Sequence, residues 1–288
     1  MYLLKFFLFL FSFNALALVV YQDGKFIKSY NREQFLKIGE SEKVKFLNHI
    51  NNKSSTYIGI SINDLIKDLK LNKSDIEEVV FECLNGYQPF LNFQLFQNRD
   101  AYLTYKSAGA KPFTRFSQKT KEIVNLGPYY LVWKLDDLHY KHRLKYSSIY
   151  KIQGINFKTK LFKLPLKDST LSDGFSTYKR YCISCHKIKN QGGTLSSELL
   201  DSKYLRNEVQ FIQYVTNPLG MNPQSEMLPF PDFQNKIYKI KHVFQLLNVL
   251  RSAKNKEKLN KKDINELNKV IKEFSTPTFG KPLEPENI

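Results

Sequence analysis

The apolar positions of this chain change period part-way along it. Between residues 18 and 165 they form short runs rich in β-branched and aromatic side chains. Val79-Val80-Phe81-Glu82-Cys83, Tyr129-Tyr130-Leu131-Val132-Trp133 and the segment from Ile149 to Phe157 read as strands. Ile60 to Leu69 interrupts the series, because Ile62, Leu65, Ile66 and Leu69 share a helical face and Ser61 is placed to cap it. This half is therefore expected to be α+β. From Asp168 onward the helical period takes over. Gly174, Tyr178 and Cys182 fall at i, i+4 and i+8, with Ser172 or Asp173 as the expected helix start. Val209, Phe211, Ile212 and Val215 predict a short helix within Asn207 to Val215, ended near Asn217-Pro218. Ile237, Ile240, Val243, Phe244, Leu247 and Leu250 predict a longer one. Ile264, Leu267, Val270 and Ile271 predict a last amphipathic helix, before Pro277, Pro282 and Pro285 mark an irregular tail.

The N-terminus adds a targeting pattern. Lys5 precedes an apolar run from Phe6 to Phe13, and Ala15-Leu16-Ala17 supplies the small residues of a cleavage site. Residues 1–17 are thus expected to be a secretory signal cut after Ala17, which places the chain in the periplasm. Apolar residues continue through Val20, so an uncleaved segment would anchor the chain in the membrane; Ser12 and Asn14 interrupt it, and it is short for a span. The 288 residues carry 44 Lys and Arg against 27 Asp and Glu, a net charge of +17. Such charge often accompanies nucleic acid, but export argues against that partner. The lysines are spread along the whole chain and read as a solvated surface. A docking face, if they form one, suits an acidic protein or an anionic membrane surface bound peripherally.

The candidate chemistry lies in Cys182-Ile183-Ser184-Cys185-His186. Two thiols three positions apart can each form a thioether to one porphyrin, and the imidazole that follows can ligate its iron; this is the C-x-x-C-H attachment pattern of a c-type haem. A lone C-x-x-C also serves zinc sites and thioredoxin-like redox pairs. Haem is favoured because the histidine follows at once, no second C-x-x-C completes a zinc site, and the chain reads as exported. A methionine thioether is the expected second axial ligand. Met227, in Ser225-Glu226-Met227-Leu228-Pro229-Phe230, is favoured over Met221, in Gly220-Met221-Asn222-Pro223. His242 lies inside a helical pattern and is expected to be a surface or interhelix residue. Lys179, Arg180, Lys187 and Lys189 flank the motif, where they can steer an acidic partner.

Gly174, Tyr178, the C-x-x-C-H motif and the Met227 loop together resemble the class I cytochromes c. The resemblance implies an all-α cytochrome c fold for residues 168–255. In it Gly174 lets a C-terminal helix cross closely, and Tyr178 packs at the crossing. Cys182 and Cys185 would hold one covalent haem c, with His186 and Met227 as its axial ligands. Leu228 departs from the family, which usually has proline directly after the methionine. The family also orients its proximal imidazole on a backbone carbonyl, often of a proline; here Gly192-Gly193 leads into Thr194-Leu195-Ser196-Ser197, and a carbonyl of that loop can take the same role.

Residues 18–165 bear a second resemblance, carried by four short segments in order. Tyr57 to Ile66, Asn85-Gly86-Tyr87, Asp100 to Tyr105, and Gly127-Pro128 with Leu131-Val132 are similar to segments of the sulfite-oxidase-like, molybdopterin-binding fold. That resemblance implies a mixed sheet. The family's molybdenum-binding cysteine precedes the first of these segments, whereas residues 18–56 contain no cysteine. Cys83 reads as a small buried hydrophobe, and molybdopterin is not expected. His49, His139 and His142 are scattered, the last two in a basic stretch that reads as a loop.

The sequence thus predicts a signal (1–17), an α+β accessory or docking domain (18–165), a haem domain (168–255) and a helix with tail (256–288). The expected function is periplasmic one-electron transfer to and from redox protein partners, not catalysis. The alternatives are a molybdenum-dependent oxidoreductase that passes electrons to its own haem domain, and a haem sensor or peroxidase-like protein.

Overall fold

The computed structural model describes residues 17–48, 53–97, 99–117, 122–134, 149–164, 166–188, 190–231 and 234–256. The expected signal up to residue 16, His49, His139, His142, Lys189, and the helix and tail built on Ile264, Leu267, Val270, Ile271, Pro277, Pro282 and Pro285 lie outside the described residues. The described residues up to Phe162, together with Gly192–Ser196, form one compact unit; those from Lys163 on, without that segment, form the other.

The first unit is built on a nine-stranded mixed sheet. Its strands are β1 (Leu18–Gln22), β2 (Lys25–Tyr30), β3 (Glu42–Asn48), β4 (Lys53–Ser61), β5 (Glu78–Cys83), β6 (Phe90–Asn92), β7 (Ala101–Ser107), β10 (Tyr129–Trp133) and β11 (Tyr150–Lys158); β8 (Thr114–Ser117) and β9 (Glu122–Asn125) pair separately. The order is β2-β1-β11-β10-β7-β4-β3, with β5 also paired to β11 and β6 to β5. Among the described residues only the β1–β11 ladder of this sheet is parallel, with Val19 opposite Gly154.

β10 shows why its sequence is an unbroken apolar run. Successive side chains of a strand point to opposite faces, and both faces here are covered. Tyr129, Leu131 and Trp133 enter the larger core with Phe81, Phe96 and Leu103, and Tyr130 and Val132 enter a smaller one with Tyr57, Tyr102 and Leu126. α1 (Arg32–Leu36) contributes Phe35 to the larger core, as α2 (Ile62–Asp68) does Ile62, Leu65 and Ile66; Ser61 caps α2 by accepting from the Asn63 amide at 3.1 Å. α3 (Gln94–Gln97) sets Phe96 against Trp133, ring centroids 4.9 Å apart.

The second unit holds α4 (Ser169–Tyr181), α5 (Glu208–Thr216), α6 (Pro218–Met221) and α7 (Lys236–Lys256). α4 starts earlier than Ser172 or Asp173: Asp168 is its cap, accepting from the Leu171 amide at 2.8 Å. α4 and α7 cross at Gly174, where a Cβ would lie 2.7 Å from the carbonyl carbon of His242 and closer still to its oxygen. No larger residue fits there.

The structure corrects the expected fold class. The described residues are dominated by the mixed sheet, and an all-α cytochrome c domain is not shown. The C-terminal part is broken into 3-10 turns at Leu199–Asp201 and Lys203–Arg206, short helices and a bridge between Ile188 and Gln191. One of its segments belongs to the sheet unit: the Thr194 and Leu195 amides donate to the Gly86 carbonyl at 2.8 and 3.1 Å. The physical reason is local. Gly192-Gly193 and the Ser- and Asn-rich stretches around it interrupt helix, and the Gly86 turn offers an unpaired carbonyl to the freed amides.

Candidate functional site

The C-x-x-C-H segment is the C-terminal turn of α4. Cys182 ends the helix with its amide donating to the Tyr178 carbonyl at 2.8 Å, and its own carbonyl accepts from Cys185 at 3.1 Å and from His186 at 2.9 Å. Ile183 is buried and anchors the turn, while Cys182, Cys185 and His186 are half-buried. Both cysteines are free thiols. Burial, with Cys185 beside it, pushes the Cys182 thiol up to about 12. A redox-active C-x-x-C needs the opposite shift, since the thiolate is the nucleophile.

Two hydrogen bonds set the geometry of His186. Its Nδ1 lies 3.1 Å from the Ser197 carbonyl. A carbonyl only accepts, so Nδ1 carries the proton and Nε2 keeps its lone pair. Burial, only partly offset by this bond, lowers the imidazole below its ordinary value, which favours the neutral, ligating form. Tyr178 holds the backbone: its hydroxyl donates to the His186 carbonyl at 2.7 Å and to the Gln191 carbonyl at 3.3 Å. Burial above all, with Cys182 and Glu198 nearby, raises the Tyr178 phenol, so it stays a donor. The sequence left the imidazole's partner open within Thr194 to Ser197, and the folded chain selects Ser197. The hydroxyl contact of Tyr178 was not legible from spacing, which marked only a packing aromatic.

Met227 lies in a loop tied down at both ends. The Met227 amide donates to Ser225 Oγ at 3.2 Å, and that hydroxyl lies 3.2 Å from Tyr214 Oη on α5. At the other end the Phe230 amide donates to the Val215 carbonyl at 2.8 Å. The buried Phe230 ring sits 4.9 Å from that of Tyr181, the residue before Cys182. The loop of Met227 is thereby fixed against the end of the helix that carries the two thiols. Met227 is half-buried, whereas Met221, at the end of the four-residue α6, is exposed. His242 is buried at the α4–α7 crossing with Nδ1 2.6 Å from Asp173 Oδ2, and Lys239 also pairs with Asp173. It is an interhelix residue.

The structure does not bring Cys83 to this site. Cys83 is buried in the larger sheet core, and burial followed by the Glu82 charge pushes its thiol up to about 12. Among the described residues no three His, Cys, Asp or Glu side chains cluster as a metal site, and no helix is long and apolar enough to cross a membrane. No protein-family model and no curated protein matches this chain.

Proposed function

We propose that this chain is an exported one-electron carrier with one covalently attached haem. Cys182 and Cys185 would form the two thioethers, His186 Nε2 would ligate the iron, and Met227 would supply a second ligand. The observation that carries this reading is the Nδ1 contact of His186 with Ser197, which commits one ring nitrogen and leaves the other as an oriented lone pair. Two free thiols on the same turn, one of them held protonated, suit attachment better than thiol–disulfide exchange.

When bound, the haem supplies reversible Fe(III)/Fe(II) cycling. The chain's own residues do the rest. Tyr178 and Ser197 hold His186 in place, and Phe230 fixes the Met227 loop while helping to exclude water. A soft thioether and an apolar surround both favour the reduced state and raise the potential. With His186 and Met227 both holding the iron, no position would remain for substrate, and the partners would be redox proteins. The basic surface suits acidic partners or peripheral contact with an anionic membrane.

The test is iron, zinc and molybdenum per chain on protein purified from the exported fraction of a host able to attach haem. The expected result is one iron, no molybdenum, and haem that stays on the chain through denaturing electrophoresis. Substituting both Cys182 and Cys185 by alanine removes that covalent haem. Zinc in place of iron, or haem lost on denaturation, would overturn the reading. Molybdenum near one per chain would make this an oxidoreductase instead.

A further inference from the structure

The geometry points to a second binding site, on the sheet unit and independent of the haem reading: a pocket for a small organic anion. Three loops meet there. After β5 the chain turns through Leu84 and Asn85, and Gly86, at φ 82°, donates its amide to the Cys83 carbonyl at 2.9 Å. β9 ends at Asn125 and leads through Gly127-Pro128 into β10. Lys151, near the start of β11, joins the two. Its amide donates to the Leu126 carbonyl at 2.9 Å, and its carbonyl accepts from the Leu84 amide at 2.8 Å. These segments border an open surface pocket of about 430 Å³ lined by Leu84, Asn85, Asn125, Gly127, Pro128 and Lys151.

The side chains that line this pocket bring two amides and one ammonium. Asn85 Oδ1 is taken by the Tyr87 amide at 3.2 Å, and Asn125 Oδ1 by the Gly127 amide at 2.7 Å. Each oxygen is thus partly occupied, and each NH2 end remains to offer. Among the described residues no hydrogen bond or ion pair engages those two nitrogens or the Lys151 ammonium. Two amide donors and one cation, with no carboxylate among the lining side chains, favour an oxyanion. Leu84 and Pro128 supply an apolar wall for the body that carries it, the usual division of labour in a small-molecule site.

The backbone supports the same conclusion. Lys151 has φ 58°, the left-handed region that glycine and asparagine enter most readily. It sits where the β10–β11 register shifts. Strain held at a loop junction is typical of a side chain that is being aimed. The Asn85 turn is also pinned from outside by the bonds of Thr194 and Leu195 to the Gly86 carbonyl, so the donors are preorganised.

The test is titration of the full mature chain with hexanoate, followed by calorimetry and by amide shifts at residues 84–87 and 125–128. Saturable binding confined to those amides is expected. K151G keeps the left-handed backbone without strain and removes the ammonium with its whole side chain; N125D keeps the acceptor for the Gly127 amide and replaces the donor by a carboxylate oxygen. Both are expected to fold with an unfolding midpoint no lower than wild type and to bind hexanoate at least about ten-fold more weakly, the loss of one charge-assisted contact. Wild-type affinity in both variants, hexanol or inorganic phosphate binding as tightly as hexanoate, or no saturation by about 10 mM would each overturn the proposal.

Discussion

Replacing Gly174 by alanine reverses the usual sign of such a change. In an ordinary exposed helix, Gly→Ala stabilises by about 0.8–1 kcal/mol, because alanine restricts the unfolded chain and suits the helix. At the α4–α7 crossing the new methyl would sit 2.7 Å from the His242 carbonyl carbon and 3.2 Å from the Val243 amide nitrogen. Carbon atoms pack best at about 3.5–4.0 Å. The clash is with main chain, so no rotamer relieves it and one helix must retreat by about 1 Å. Overpacking of this kind costs about 1–3 kcal/mol. The helix gain offsets only part of it, and the retreat also loosens the Asp173–His242 contact and the packing of Tyr178. The expected net effect is a loss of about 1–2 kcal/mol from the second unit. Urea unfolding followed by far-ultraviolet circular dichroism, on haem-free protein, measures it. A G174A chain that gains about 1 kcal/mol, as an uncrossed helix would, refutes the close crossing and with it the placement of the C-x-x-C-H turn.

Y178F removes the donor to the His186 carbonyl and is expected to cost about 1–2 kcal/mol in the same urea experiment, as an orphaned carbonyl should; an unchanged midpoint would deny that hydroxyl its role. Partial burial works to raise the Asp173 carboxyl, but hydrogen bonds from Lys239 and His242 outweigh it and hold it below its ordinary 3.8. Its folded value is depressed, so the stability it contributes is present above 3.8 and lost as pH falls through the folded value. D173N should therefore be less stable than wild type at neutral pH, with the gap closing as the pH is taken below 3.8; a gap constant with pH contradicts this assignment. In haem-loaded protein, M227A is expected to open the sixth position to carbon monoxide and lower the reduction potential, while M221A leaves both unchanged. An unaltered optical spectrum in M227A rejects that ligand.

The elements were largely legible because their signals are local. Val79 to Cys83 and Tyr129 to Trp133 are strands as their β-branched and aromatic runs predict, and Ser61 caps α2 as its place before Ile62 predicts. The start of α4 was misplaced. Asp168, Ser172 and Asp173 are all good caps by residue type, and only packing distinguishes them, since Asp173 is drawn to Lys239 and His242 on α7. The pocket of Asn85, Asn125 and Lys151 was not legible. Asn85-Gly86 reads as a turn, but nothing local says that residues 85, 125 and 151 converge or that the amide oxygens already accept from the Tyr87 and Gly127 amides.

The sequence by itself determined the chemical vocabulary of this protein: two thiols and an imidazole on one turn, a glycine two helical turns and an aromatic one turn before the first thiol, and a methionine loop downstream. These follow from spacing along one helix and need no partner. Tertiary structure decided the rest. It made a nine-stranded mixed sheet the dominant architecture and made Gly192–Ser196 part of the sheet unit. It chose Ser197 among the carbonyls that can orient His186, and committed His242 to Asp173. The reason is physical: a hydrogen-bond partner is fixed by which buried donor and acceptor remain unsatisfied once the backbone is laid down, and that count exists only in the folded chain.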